Sequence, residues 1–173
     1  MKTLYITSPI SKWKFDEDTT PLMIDEVRRR GATTWMSTPR EISVVDGVLR
    51  TRCRTIELHD ESPFHCLGQD EDLAMGDFDV IHLRTDPPFD LEYYYTTIFL
   101  DMVPANTLVL NRPSSVRYLN EKLAILLFPD YITDTIVTFD VEEGADFVER
   151  VGGKAVAKEL SQCSSLGITL LEG

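Results

Sequence analysis

The chain has 173 residues, 43% of them hydrophobic and 27% charged, which suffices for one full domain plus part of a second and makes disorder unexpected. Seventeen basic residues against 29 acidic ones give a net charge of −12, a surface that repels phosphate backbones and excludes nucleic acid as an expected partner. No run of about 18 apolar residues occurs, so no membrane partner is expected, and three widely spaced cysteines without a CxxC pair point to a reducing, cytoplasmic setting.

Residues 2–8 read as a short buried strand. Asp18, Thr19 and Thr20 followed by Pro21 signal a helix start, and Gly31 suits its C-terminal stop. Arg28, Arg29 and Arg30 then complement the helix C-terminal dipole. A second strand is predicted over 33–37. A hairpin follows, with Asp46-Gly47 as a primed turn between 42–45 and 48–54. The polar stretch 59–72 reads as a loop. Residues 78–83 read as an apolar strand, 91–103 as a helix, 107–110 as a strand and 113–127 as one or two helices. Beyond Asp130 come a strand at 135–139, a helix at 142–150 and two strands at 154–158 and 168–171 that form a hairpin. The strand–helix–strand alternation predicts a parallel sheet covered by helices.

Three segments carry chemistry. Arg84-Thr85-Asp86-Pro87-Pro88-Phe89-Asp90 directly follows a strand, where ligands bind in open α/β sheets. An Arg and two carboxylates there suit a zwitterionic amino-acid substrate; the plainer alternative is a rigid turn with Asp90 capping the next helix. Asn120-Glu121-Lys122 sits on a predicted helix, where Lys122 either meets a nucleotide phosphate or is an ordinary exposed lysine. Lys158 ends a strand and leads into the small-residue loop 161–167, which either cradles phosphate or is a polar hairpin loop. His59, His65 and Cys66 share a loop but match no structural zinc spacing. His82 reads as a core or rim histidine, and Tyr93, Tyr94 and Tyr95 as helix packing.

These segments, in this order, resemble the prokaryotic glutathione synthetase family. The resemblance is carried by the Arg84–Asp90 motif together with Asn111-Arg112-Pro113-Ser114-Ser115-Val116-Arg117-Tyr118-Leu119-Asn120-Glu121-Lys122, and by residues 4–31. It covers nearly the whole chain. It implies an α/β fold: a preATP-grasp (Rossmann-like) parallel sheet with helices on both faces over residues 1–130, and an incomplete α+β ATP-grasp subdomain over 131–173. It also implies ATP-dependent joining of γ-glutamylcysteine and glycine through an acyl phosphate, with ATP and magnesium as cofactors. By position, Lys122, Lys158, Ser161, Gln162, Cys163, Ser164, Ser165 and Gly167 match nucleotide-contacting residues, and Arg84 and Asp86 match the substrate side. No residue is assigned a catalytic role.

The sequence departs from the family pattern in three places. Ser8-Pro9 stands where Asp-Pro is usual, Glu159 where Pro is usual, and the 161–167 loop is closer to the Ser-Ser-x-Gly pattern of D-alanine–D-alanine ligases. The family's magnesium ligands lie beyond the phosphate loop, so no metal ligand is assigned here and the chain is expected to need a C-terminal ATP-grasp partner for activity. A homo-oligomer is expected, because the 154–172 hairpin would expose an apolar face. The competing readings are a non-catalytic binding or oligomerisation module of the same fold, and the front of another amino-acid ligase.

Overall fold

The computed structural model describes residues 1–59, 64–162 and 166–173. The strands are β1 (Lys2–Thr7), β2 (Thr33–Ser37), β3 (Ile42–Val45), β4 (Val48–Leu58), β5 (His65–Leu67), β6 (Glu71–Ala74), β7 (Val80–Arg84), β8 (Leu108–Leu110), β9 (Lys154–Lys158) and β10 (Ile168–Glu172). The helices are α1 (Thr19–Arg29), α2 (Leu91–Leu100), α3 (Pro113–Tyr118) and α4 (Val141–Arg150). The chain folds as two units: residues 1–86 with 91–117, and residues 87–90 with 118–173.

The first unit is built on a sheet of order β3-β4-β2-β1-β7-β8. Its parallel centre is β2-β1-β7-β8, as the alternation of strands and helices requires. Residues in β1 alternate between two cores. Leu4 and Ile6 join Trp35, Ile81, Leu83 and Leu100 on the α2 face, while Tyr5 joins Ile24 of α1, Met36 and Ile56 on the other. Helices therefore cover both faces, and the central strands are buried on both, with small hydroxyl residues such as Thr3, Thr34 and Ser37 among the apolar ones.

The α1 boundaries follow local chemistry. Gly31, at φ +82°, ends the helix in a left-handed conformation that a Cβ would strain. Arg29 and Arg30 pair with Asp25 and Glu26 one turn back, at 2.7 and 2.6 Å. Asp46 and Gly47 both have positive φ, the requirement of a two-residue primed hairpin turn between β3 and β4.

The 59–72 region is not all loop. β5 and β6 lie within or begin in it and pair antiparallel with β4. They were hidden because each is short and sends one leucine inward, Leu67 from β5 and Leu73 from β6, while Cys66, Glu71 and Asp72 are exposed. Arg50 pairs with Asp72 at 3.0 Å, and Arg54, largely buried, holds Asp70 at 2.8 Å and Glu41 at 2.5 Å.

In the second unit, α4 is capped by Asp140, whose carboxylate accepts from the backbone N–H groups of Glu142 and Glu143 at 2.8 and 3.3 Å. β9 and β10 form the expected antiparallel hairpin. Val156, Ile168 and Leu170 are exposed on one face of it. The strand expected at 135–139 does not form. Its β-branched composition favours an extended chain, but it finds no ladder partner among the described residues, and Phe139 stands fully exposed. No helix among the described residues is long and apolar enough to cross a membrane.

Truncating Ile24 to Ala should cost about 2–5 kcal/mol in chemical denaturation, because Ile24 is fully buried under the sheet. The same change at Leu22, exposed on the same helix, should cost under about 0.5 kcal/mol.

Candidate functional site

β1 and β7 are parallel neighbours, with Tyr5 opposite His82 and Thr7 opposite Arg84. Both chains leave the sheet at the same end. Ser8 follows β1, and Thr85 and Asp86 follow β7. The α1 start and the loop before it close the third side, giving a polar cleft of about 190 Å³ lined by Trp13, Glu17, Asp18, Thr19, Thr20, Arg84 and Asp86.

Arg84 is held at the start of α1. Its Nε donates to Thr20 Oγ1 at 3.2 Å and its Nη2 to Thr19 Oγ1 at 2.7 Å. Hydroxyls fix the guanidinium but do not neutralise it, so its charge is free to meet an anion. Asp18 occupies the N-cap position without capping the helix through its side chain; its carboxylate instead accepts from the Lys14 N–H at 2.8 Å. The positive end of the α1 dipole therefore adds to Arg84 at the same wall. Across the cleft, Asp86 Oδ2 accepts from Ser8 Oγ at 2.8 Å, and the Trp13 indole N–H donates to the Ser8 carbonyl at 3.1 Å.

Two residues back from Thr7 and Arg84 on the same strands, Tyr5 and His82 form a stacked pair, ring centroids 4.7 Å apart and planes 8° apart. Burial pushes the Tyr5 phenol up to about 12 against the opposing pull of Arg84. Burial, reinforced by Arg84, lowers His82 below its ordinary value. On α2, burial raises Tyr93 despite Arg84.

In the second unit, Asn120-Glu121-Lys122 is not on a helix. Asn120 Oδ1 accepts from the N–H groups of Lys122 and Leu123 at 2.9 and 3.2 Å, an Asx turn that competes with helix extension. Asn120 Nδ2 also donates to the Leu160 carbonyl at 2.9 Å, and Lys122 Nζ donates to the Gln162 carbonyl and pairs with Glu121 at 2.9 Å. Lys122 is thus brought against the start of the loop that follows β9. Lys158 stands exposed opposite Ile168, Ser161 is exposed, and Gly167 adopts φ +68° with its carbonyl accepting from the Glu159 N–H at 3.4 Å. Cys163, Ser164 and Ser165 lie outside the described residues. Arg84 and Asp86 belong to the first unit and the nucleotide-side residues to the second.

A family model of the prokaryotic glutathione synthetase N-terminal domain matches residues 1–117. The chain belongs to that family. It is 34% identical to the glutathione synthetase of Gloeobacter violaceus, over 99% of this chain and 55% of the relative, and 36% identical to that of Brucella melitensis, over 92% and 51%. The chain spans about half the length of the curated relatives it matches. A solved RimK domain ATP-grasp protein from Sphaerobacter thermophilus shares the fold, with a TM-score of 0.60 and 16% identity over 100% of this chain and 54% of that one.

Trp13, Glu17, Thr19 and Thr20 complete the cleft, and Ser8 holds Asp86 beside it, but none of them was singled out as a binding residue by the sequence. The Asp18–Pro21 signal marked the helix start correctly, yet it spoke of capping rather than of a wall around Arg84. Among the described residues no three His, Cys, Asp or Glu side chains cluster to hold a metal. His65, with Phe15, instead forms a ring stack, centroids 5.8 Å apart.

A depressed imidazole lowers stability in acid. Above its ordinary value near 6.5, His82 is neutral in both folded and unfolded chains and contributes nothing. As pH falls below that value the unfolded chain takes up the proton first, so stability drops until the folded group also titrates. Denaturation midpoints of the wild type should therefore fall between pH 7.5 and 5 more steeply than those of His82→Phe, which keeps the stack on Tyr5 without the proton.

Proposed function

We propose that this chain is the substrate-side portion of a glutathione-synthetase-type ligase, and that its cleft receives the zwitterionic glutamyl end of γ-glutamylcysteine. The observation that carries this reading is the pairing of Arg84, held by two hydroxyls at the α1 N-terminus, with the Asp86 carboxylate at the same end of the sheet. Arg84 and the helix start suit the α-carboxylate, and Asp86 suits the ammonium. A neutral or purely anionic ligand would leave one of these charges unmatched, which makes the pair selective for zwitterions.

ATP, with magnesium, supplies the leaving group of the acyl phosphate in this reading. Lys122 and Lys158 fit the phosphate side: each is a cationic side chain near the start of the loop joining β9 to β10, and Lys122 donates to the Gln162 carbonyl of that loop. Ser161, Gln162 and Gly167 would then present backbone N–H groups to phosphate, with Cys163, Ser164 and Ser165 outside the described residues. The described residues do not offer the acidic donor set that magnesium prefers. In this reading the metal ligands would come from the ATP-grasp part of the enzyme, in a cytoplasmic setting that the cysteine pattern suits. The exposed apolar face formed by Val156, Ile168 and Leu170 supports self-association or a partner there.

Calorimetry with γ-glutamylcysteine tests the substrate-side assignment. Arg84→Ala should weaken binding by about ten-fold or more, the loss of a charge-assisted contact. Unchanged affinity in that variant would remove Arg84 from the site. Addition of a complementing ATP-grasp half with ATP, magnesium and glycine should then release phosphate.

A further inference from the structure

Ser8 makes a two-way link to Asp86 across the tips of β1 and β7. Ser8 Oγ donates to Asp86 Oδ2 at 2.8 Å, and the Asp86 N–H donates back to Ser8 Oγ at 3.4 Å. The backbone of the same serine is fixed independently: its carbonyl accepts from Thr7 Oγ1 at 2.8 Å and from Trp13 Nε1 at 3.1 Å. One residue thus joins the first strand, the loop carrying Trp13, and the carboxylate that faces the cleft.

We infer that Ser8 is a positioning residue that sets which oxygen of Asp86 a ligand ammonium meets. The proposal rests on the zwitterion reading above. A hydroxyl is suited to this because it donates and accepts at once. Alanine does neither, and an ionised carboxylate in its place would accept only and would repel Asp86. With Oδ2 engaged by Ser8, the carboxylate cannot rotate freely, and Oδ1 is presented to the ligand. Asp86 is otherwise an exposed side chain on a turn, where an unfixed carboxylate would sample several rotamers and lose affinity to that freedom. Ser8 acts on the ammonium through Asp86 alone, so its contribution should vanish when the ligand has no ammonium.

The full chain is titrated calorimetrically with γ-glutamylcysteine and with its N-acetylated form, as wild type, Ser8→Ala and Ser8→Thr. Ser8→Ala should weaken γ-glutamylcysteine by about ten-fold, the loss of a hydrogen bond to a charged group, and leave the N-acetylated form unchanged. Ser8→Thr keeps the hydroxyl and should restore wild-type affinity. Equal losses for both ligands, or no loss for either, overturn the proposal. Should Ser8→Ala fail to fold, Ser8→Cys, of similar size but a poor donor, should show the same selective loss. If the wild type binds neither ligand, or both equally, the zwitterion reading itself fails. Hydrogen exchange at the Asp86 amide then judges the link by itself: exchange several-fold faster in Ser8→Ala than in Ser8→Thr upholds it, and identical exchange overturns it.

Discussion

Parallel pairing of β1 with β7 is the constraint on which the cleft depends. It brings Ser8 and Asp86, 78 residues apart in sequence, to within 2.8 Å. The register is strongly specified because β1 is buried on both faces: Leu4, Tyr5 and Ile6 have no exposed surface. A slip of one residue would turn Tyr5 into the α2 core and Leu4 and Ile6 toward α1, exchanging the two packing sets. The strand tips therefore inherit the rigidity of the core. Groups with little burial of their own, such as Asp86, gain a fixed position from the strands that carry them.

The electrostatics follow from the same placement. The chain carries a net charge of −12, so an anionic ligand approaches against the mean field. Arg84 offsets this locally because its partners are the hydroxyls of Thr19 and Thr20. The Asp18 carboxylate accepts from the Lys14 N–H and does not cap α1, although its charge, with that of Glu17, still lines the cleft. Two residues back along the same strands, Tyr5 and His82 pack as a stacked pair whose burial favours their neutral forms. These neutral rings add no competing charge near the Arg84 guanidinium.

Much of the first unit was legible in the sequence, because its elements follow from local signals. The apolar runs of β1, β2 and β7, the Asp46-Gly47 turn and the Gly31 stop each report a backbone requirement that few residues meet. β5 and β6 were illegible because edge strands are defined by a partner, and β4 can pair with polar residues as readily as with apolar ones. The reverse error occurred at 135–139, where β-branched residues suggested a strand that has no described partner. In the site, Arg84 and Asp86 stood out because charged residues just after an apolar strand are conspicuous. Ser8, Thr19 and Thr20 did not, since a serine or threonine near a helix start is explained by capping. Only the tertiary register shows that these hydroxyls address Arg84 and Asp86.

The division of charges between the units bears on what these residues can do. Acyl-phosphate formation requires a metal to neutralise charge as the phosphoryl group transfers. Lys122 spends part of its hydrogen-bonding capacity on the Gln162 carbonyl and on Glu121, leaving a reduced share for a phosphate. In the proposed reading, the two lysines would supply point charges to a nucleotide, and a divalent ion would supply the remaining neutralisation. The Arg84–Asp86 cleft needs no such ion, because holding a zwitterion requires only fixed opposite charges. On the proposed reading, recognition of a zwitterion is chemistry these residues can perform by themselves, and phosphoryl transfer is chemistry that draws on a divalent metal.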